Sequence, residues 1–207
     1  MTTVGGAVIA GGRSGRLGTD KRFVEVDGVP LLARTVTLLR PLVDDVQIVV
    51  ADAADRSAIT ASLAAVIGPD AVDAVRFAVD ARADVGPAAG LEAALAGARC
   101  DVILVVATDH PALAPGVLQL LCERAVATGA QAVAVAGPRG VEPFLAAYRR
   151  DALPTVTGAL DAGTRRMQDV LAALDPIIVD EAEWRALDPA GRTLADVDVP
   201  SDLERFR

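Results

Sequence analysis

Short apolar runs alternate with stretches of helical periodicity along most of the chain. Ala7-Val8-Ile9-Ala10 reads as a first strand. Phe23-Val24-Glu25-Val26 with Asp27-Gly28 predicts a short strand and turn, after which Pro30 opens a helix on Leu31, Leu32, Val36 and Leu39. Val46–Val50 is a second strand, Ile59, Leu63, Val66 and Ile67 recur at helical spacing, and a third strand over about 75–79 ends at Asp80. A helix centred on Leu91–Leu95 precedes Val102-Ile103-Leu104-Val105-Val106, which has no polar alternation and is therefore expected to be central and covered on both faces. Pro115 starts the next helix. Ala132–Val135 and Pro143–Tyr148 predict two strands around a Gly-Pro-Arg-Gly turn, followed by helices near 152–160 and 165–174 and a strand at Ile177-Ile178-Val179. A last strand is expected over Leu194–Asp198, with a short helix from Pro200.

Strand–helix alternation through about residue 136 implies a mainly parallel, Rossmann-like sheet with right-handed crossovers and helices on both faces, a three-layer α/β/α architecture. One domain over residues 1–207 accommodates it. Hydrophobic residues make up 52% and aromatics only 3%, so the core must be built from Ala, Val, Leu and Ile. The formal net charge of −8 argues against a general nucleic-acid binder and leaves room for a nucleotide pocket with a few local cations. No apolar run reaches the roughly 18 residues that cross a bilayer, and a soluble, cytoplasmic protein is expected. Cys100 and Cys122 lack ligand spacing and read as core thiols in a reducing compartment.

In a parallel α/β sheet the ligand lies outside the C-terminal ends of the strands, so the residues that close strands carry the information. The first strand breaks into Gly11-Gly12-Arg13-Ser14-Gly15-Arg16-Leu17-Gly18-Thr19-Asp20-Lys21. Its glycines allow positive φ and close backbone approach, so consecutive N–H groups can converge on an anion, with Arg16 and Lys21 adding charge. Lys21 is the only lysine in the chain. The spacing fits neither a Walker loop nor a dinucleotide fingerprint, because Lys21 comes three residues after Gly18 and is followed by Arg22. Asp80, Asp109 and the pair Asp196 and Asp198 close other strands, which would gather carboxylates opposite this loop. Mg²⁺ needs only one or two carboxylates beside phosphate oxygens and water, and Asp109 is the first candidate ligand. His110 is the only histidine, and it is left out of the chemistry.

The segment Ala10-Gly11-Gly12-x-Ser14-x-Arg16-Leu17-Gly18-x-Asp20-Lys21 resembles the signature of the MobA-like nucleotidyltransferases, with Leu17 in place of the usual methionine. Thr108-Asp109-His110-Pro111 resembles the family's metal-binding Asp-x-Pro. Asp84–Gly90 resembles its Gly-Pro-Leu-Ala-Gly, with Ala88 for leucine. The tail Asp196-Val197-Asp198-Val199-Pro200-Ser201-Asp202-Leu203 resembles its Asn-Val-Asn-Thr-Pro-Glu-Asp-Leu, with aspartates for both asparagines. The resemblance implies a fold of the nucleotide-diphospho-sugar transferase type, with a nucleotide-binding half at about 1–112 and an acceptor-binding half at about 113–207. It implies GTP as donor, molybdenum-bound molybdopterin as acceptor and Mg²⁺ as cofactor. Ala10, Gly11, Gly12, Arg16, Lys21, Asp80, Gly86, Pro87, Gly90 and Asp109 would bind the nucleotide, with Lys21, Arg16 and Asp109 catalytic. Asp109 and Asp198 would hold the metal, Asp196 being the other choice for the second ligand. Arg165 and Arg166, two arginines placed unfavourably at a helix start, would meet the acidic acceptor. Glu142-Pro143-Phe144 falls in the region that faces the second substrate in the family. A monomer with transient contacts to cofactor-biosynthesis or recipient enzymes is the expectation. Two alternatives stay open at this point: a cytidylyltransferase or other small-phosphate nucleotidyltransferase of the same fold, and a nucleotide-binding regulator without turnover.

Overall fold

The computed structural model describes residues 1–11, 20–82, 85–138 and 140–206. Its main sheet has seven strands in the order β5-β4-β1-β6-β8-β7-β9. These are β1 (Val4–Ile9), β4 (Asp45–Val50), β5 (Val75–Val79), β6 (Val102–Ala107), β7 (Ala132–Gly137), β8 (Gly140–Arg149) and β9 (Ile177–Val179). A small hairpin of β2 (Glu25–Val26) and β3 (Val29–Pro30) stands apart, turned by Asp27 and Gly28 at φ 54° and 75°. β1 pairs in parallel with β4 and β6, β4 with β5, and β7 with β9. β8 alone is antiparallel, to β6 and β7, because it follows β7 through a connection too short for a crossover.

Successive strand residues point to opposite faces, and two apolar cores follow from that alternation. Val8, Leu104 and Val106 face α1 (Leu31–Leu39), α2 (Arg56–Ile67) and α5 (Pro115–Thr128). Ala7, Ile103 and Val105 face α4 (Pro87–Ala96), α6 (Leu153–Asp161) and α7 (Met167–Ala172). Leu32, Val36 and Leu39 of α1 are fully buried, and each contributes about 1.5–3 kcal/mol. α1 lies so close to β1 that a Cβ on Gly6 would come within 3.2 Å of Leu39, which explains a glycine in the middle of a strand. β6 is buried on both faces, as its unbroken apolar run requires. Cys100 is buried, Cys122 is partly buried, and both are free thiols. Among the described residues no helix is long and apolar enough to cross a membrane.

Two short helices, α3 (Pro69–Asp73) and α8 (Glu181–Arg185), go beyond the sequence pattern, and α8 buries Trp184. The expected strand over 194–198 is absent. A 3-10 turn covers Arg192–Leu194 and another covers Pro200–Phe206, with an irregular segment between them. That segment touches the end of the sheet through one backbone bond, from Val197 N–H to the Asp109 carbonyl at 2.9 Å. The next two N–H groups, of Asp198 and Val199, are taken by the Asp202 carboxylate at 2.9 and 3.0 Å, so no ladder can form. The expectation that Asp196 and Asp198 close a strand is thereby corrected.

Candidate active site

The C-terminal ends of β1, β4, β5 and β6 open into a cleft of about 700 Å³. Past β1, Ala10 N–H still bonds the Val49 carbonyl at 2.8 Å, and past β5 Asp80 N–H bonds Val50 at 2.9 Å. Thr108 donates its hydroxyl to the Ile9 carbonyl at 2.9 Å, joining the exits of β6 and β1. Ala10, Gly11, Lys21 and Asp109 therefore line the centre of the cleft, and Asp80, Gly86, Pro87 and Gly90 line it on the β5 side. Gly12 and Arg16 lie outside the described residues. Gly11 does not use the conformational freedom expected of it. Its φ is not in the left-handed region, and a Cβ there would meet nothing nearer than 3.6 Å.

Lys21 sits in a 3-10 turn, Lys21–Phe23, capped by Asp20, whose carboxylate accepts from Arg22 N–H. Arg22 is buried and reaches both Asp20 and Asp55, which fixes the turn at its base. The Lys21 ammonium lies 2.5 Å from Asp198 Oδ1 and 3.3 Å from Asp109 Oδ2. Its side chain is only 15% exposed. Burial pulls its pKa down. The hydrogen bond to Asp198 and the charges of Asp109 and Asp198 outweigh that, and the pKa is raised above the ordinary lysine value. The group is a permanent cation at neutral pH and cannot serve as a base.

Two carboxylates that both reach one nitrogen converge on one point. Among the described residues no group of three or more His, Cys, Asp or Glu side chains could enclose a metal. Two hard oxygen donors with the remaining positions open suit Mg²⁺, which keeps waters and substrate phosphate oxygens in its shell. Asp109 and Asp198 fit that role, and Asp198 is the tail aspartate joined to Lys21. His110 is not exposed. Its Nδ1 is buried without a hydrogen-bond partner, and its Nε2 lies 3.9 Å from Asp109 Oδ1.

Asp202 holds Asp198 in place, and its pKa is lowered by the N–H groups of Val199 and Asp198. Its stabilising effect is therefore full above the ordinary carboxylate pKa and is lost as pH falls through the depressed folded value. The stability difference between the wild type and Asp202→Asn is expected to be constant above about pH 5 and to shrink below it. Denaturant titrations of both proteins across that range measure it.

On the β5 side, burial raises the Asp80 pKa above the usual carboxylate value. Gly86, at φ 82° and ψ −159°, precedes Pro87 at the start of α4. That region is open essentially to glycine alone, and no neighbour crowds the position. Gly86→Ala is expected to cost about 1–3 kcal/mol through backbone strain, read as a lower melting temperature.

Arg165 and Arg166 do not line the cleft. Arg165 donates to the carbonyls of Leu160 and Thr164 at 2.8 and 3.0 Å, so the end of α6 supplies the negative partner that was expected from a ligand. Arg166 precedes α7 with its side chain exposed. Arg82 lines the cleft but was absent from the expected site, and Phe144, expected on the side of the second substrate, lines the same cleft. Arg82 follows the strand-closing Asp80 by two positions, a signal that could have drawn attention to it. Phe144 enters the cleft from β8, where a register shift falls between Ala134 and Val135 of the partner strand β7.

The MobA-like NTP transferase domain family matches residues 6–177. A protein of Natronomonas pharaonis named "probable molybdenum cofactor guanylyltransferase" is 36% identical, over 98% of this chain and 96% of its own. One of the same name from Chloroflexus aggregans is 32% identical, over 96% and 91%. The crystal structure of molybdopterin-guanine dinucleotide biosynthesis protein A from Archaeoglobus fulgidus is 25% identical and superposes with a TM-score of 0.82. It covers 98% of this chain and 96% of that one.

Proposed function

Because the chain belongs to the MobA-like NTP transferase family, we propose that it transfers GMP from GTP to molybdenum-loaded molybdopterin, giving the guanine dinucleotide cofactor. A phosphate oxygen of the acceptor attacks the α-phosphorus of GTP. The bond from that phosphorus to the β-phosphate oxygen breaks, and pyrophosphate leaves. The acceptor phosphate arrives already ionised, so no general base is needed, and positioning and charge neutralisation dominate.

The observation that carries this reading is that Lys21 and Asp109, which line the cleft with Gly11, meet Asp198 at the Lys21 ammonium. The Gly11 backbone and the Lys21 ammonium would hold the triphosphate. Asp80, Gly86, Pro87 and Gly90 would face the nucleoside. Asp109 and Asp198 would hold Mg²⁺, which when bound withdraws charge from the reacting phosphates. Cytoplasmic location, which two free thiols support, and a monomeric state belong to the same reading.

Pyrophosphate release with each of the four NTPs, Mg²⁺, and molybdenum-loaded molybdopterin present or omitted tests the proposal. Release is expected with GTP and only with acceptor present. No release with GTP would overturn it, and release with CTP alone would reassign the donor.

A further inference from the structure

The wall of the cleft that carries Asp80 is braced by the side chain of Arg82, which itself lines the cleft. Arg82 N–H donates to Asp80 Oδ1 at 2.8 Å, closing a turn directly after β5. The Arg82 guanidinium forks onto Glu92 of α4, Nε to Oε2 at 2.5 Å and Nη2 to Oε1 at 2.8 Å. Its remaining nitrogen, Nη1, reaches Asp161 at the end of α6 at 2.7 Å. Thr157 of α6 donates to the same Glu92 Oε1 at 2.7 Å. The exit of β5, the second turn of α4 and the last turn of α6 thus meet on one cation.

The electrostatics give that cation a specific task. Asp80 and Glu92 are like charges close enough for Glu92 to raise the Asp80 pKa, secondary to burial. Arg82 is the principal reason that Glu92 itself stays below the usual carboxylate range. Without the Arg82 side chain Glu92 would lose its cation, and the turn carrying Asp80 would lose its tie to α4 and α6. A bidentate fork onto one carboxylate with a third bond to another also fixes direction, which a point charge cannot do.

We propose that Arg82 is the positioning residue of the donor nucleotide, acting through Glu92 and Asp161 to hold the Asp80 turn at the height the nucleoside requires. The inference rests on the reading that this cleft binds an NTP. It does not depend on which base is bound.

Steady-state kinetics with the full chain, using whichever NTP supports pyrophosphate release by the wild type, tests it. Arg82→Ala is expected to raise the nucleotide KM about ten- to a hundredfold, with kcat within about threefold and the acceptor KM unchanged. Arg82→Lys should recover little of this, since one ammonium cannot make the fork. Glu92→Gln keeps the shape but gives up the charge, and should show a smaller rise in the same KM. The double variant Arg82→Ala with Glu92→Gln should be no worse than Arg82→Ala alone, because both act on one contact. An unchanged nucleotide KM in Arg82→Ala overturns the proposal. So does a normal Glu92→Gln beside an impaired Arg82→Ala, which would mean that the guanidinium touches the nucleotide itself.

Melting temperatures accompany every variant. Should Arg82→Ala fail to fold, Asp161→Asn removes only the more exposed arm and is expected to raise the nucleotide KM about two- to fivefold. An unchanged KM there and in Glu92→Gln overturns the proposal equally. Transfer from an NTP other than GTP would overturn the donor assignment alone, and a wild type that binds no NTP would overturn both readings.

Discussion

Lys21→Ala is expected to slow pyrophosphate release about a hundred- to a thousandfold at saturating GTP, acceptor and Mg²⁺, the range seen when one preorganised charge-stabilising donor is removed. Lys21 is the only lysine in the chain, and its ammonium is already aimed at the centre of the cleft by its bonds to Asp109 and Asp198. Its cost to folding should be far smaller, about 1 kcal/mol, because the partners keep partial access to water. Arginine should not substitute, since a planar fork cannot occupy the point on which the two carboxylates converge. Full turnover by Lys21→Ala with unchanged KM values would remove the lysine from the mechanism.

The second large effect is expected at Asp109. Asp109→Asn preserves shape and leaves the backbone carbonyl free to accept from Val197, so the tail should stay docked. It removes one of the two carboxylates that fit the metal. Transfer should fall about a hundred- to a thousandfold, and raising Mg²⁺ should restore only part of it. Circular dichroism should show the fold intact. A Mg²⁺ titration of the variant that superimposes on the wild type would count against Asp109 as a ligand.

Much of the fold was legible because the apolar runs are short, unbroken and β-branched. The expected strand over 75–79 and the helix opening at Pro115 coincide with β5 and α5. The tail was misread for a definite physical reason. Leu194–Asp198 alternates like a strand, yet Asp202 captures the N–H groups that a ladder would need. α8 escaped because five residues carry too little periodicity, although Asp180 caps it as an N-terminal aspartate should. The site divides in the same way. Residues that end a strand, Gly11, Asp80 and Asp109, are brought to the cleft by topology alone. Arg165 and Arg166 depended on where a loop turns, and their spacing could not show that the carbonyls of Leu160 and Thr164 take the Arg165 guanidinium. Arg82 depended on partners ten and seventy-nine positions away.

The bond between Lys21 and Asp198 joins residues 177 positions apart in the chain. Closing so long a loop is entropically slow, and nothing can begin to close it until Asp198 has been made. β1 must likewise wait for β6 before both its edges are covered. During synthesis the sheet can therefore assemble well before the charged centre does. A nascent chain that stops short of Asp198 would carry the cleft with only one of the two carboxylates that meet Lys21, and chemistry would be acquired after the sheet.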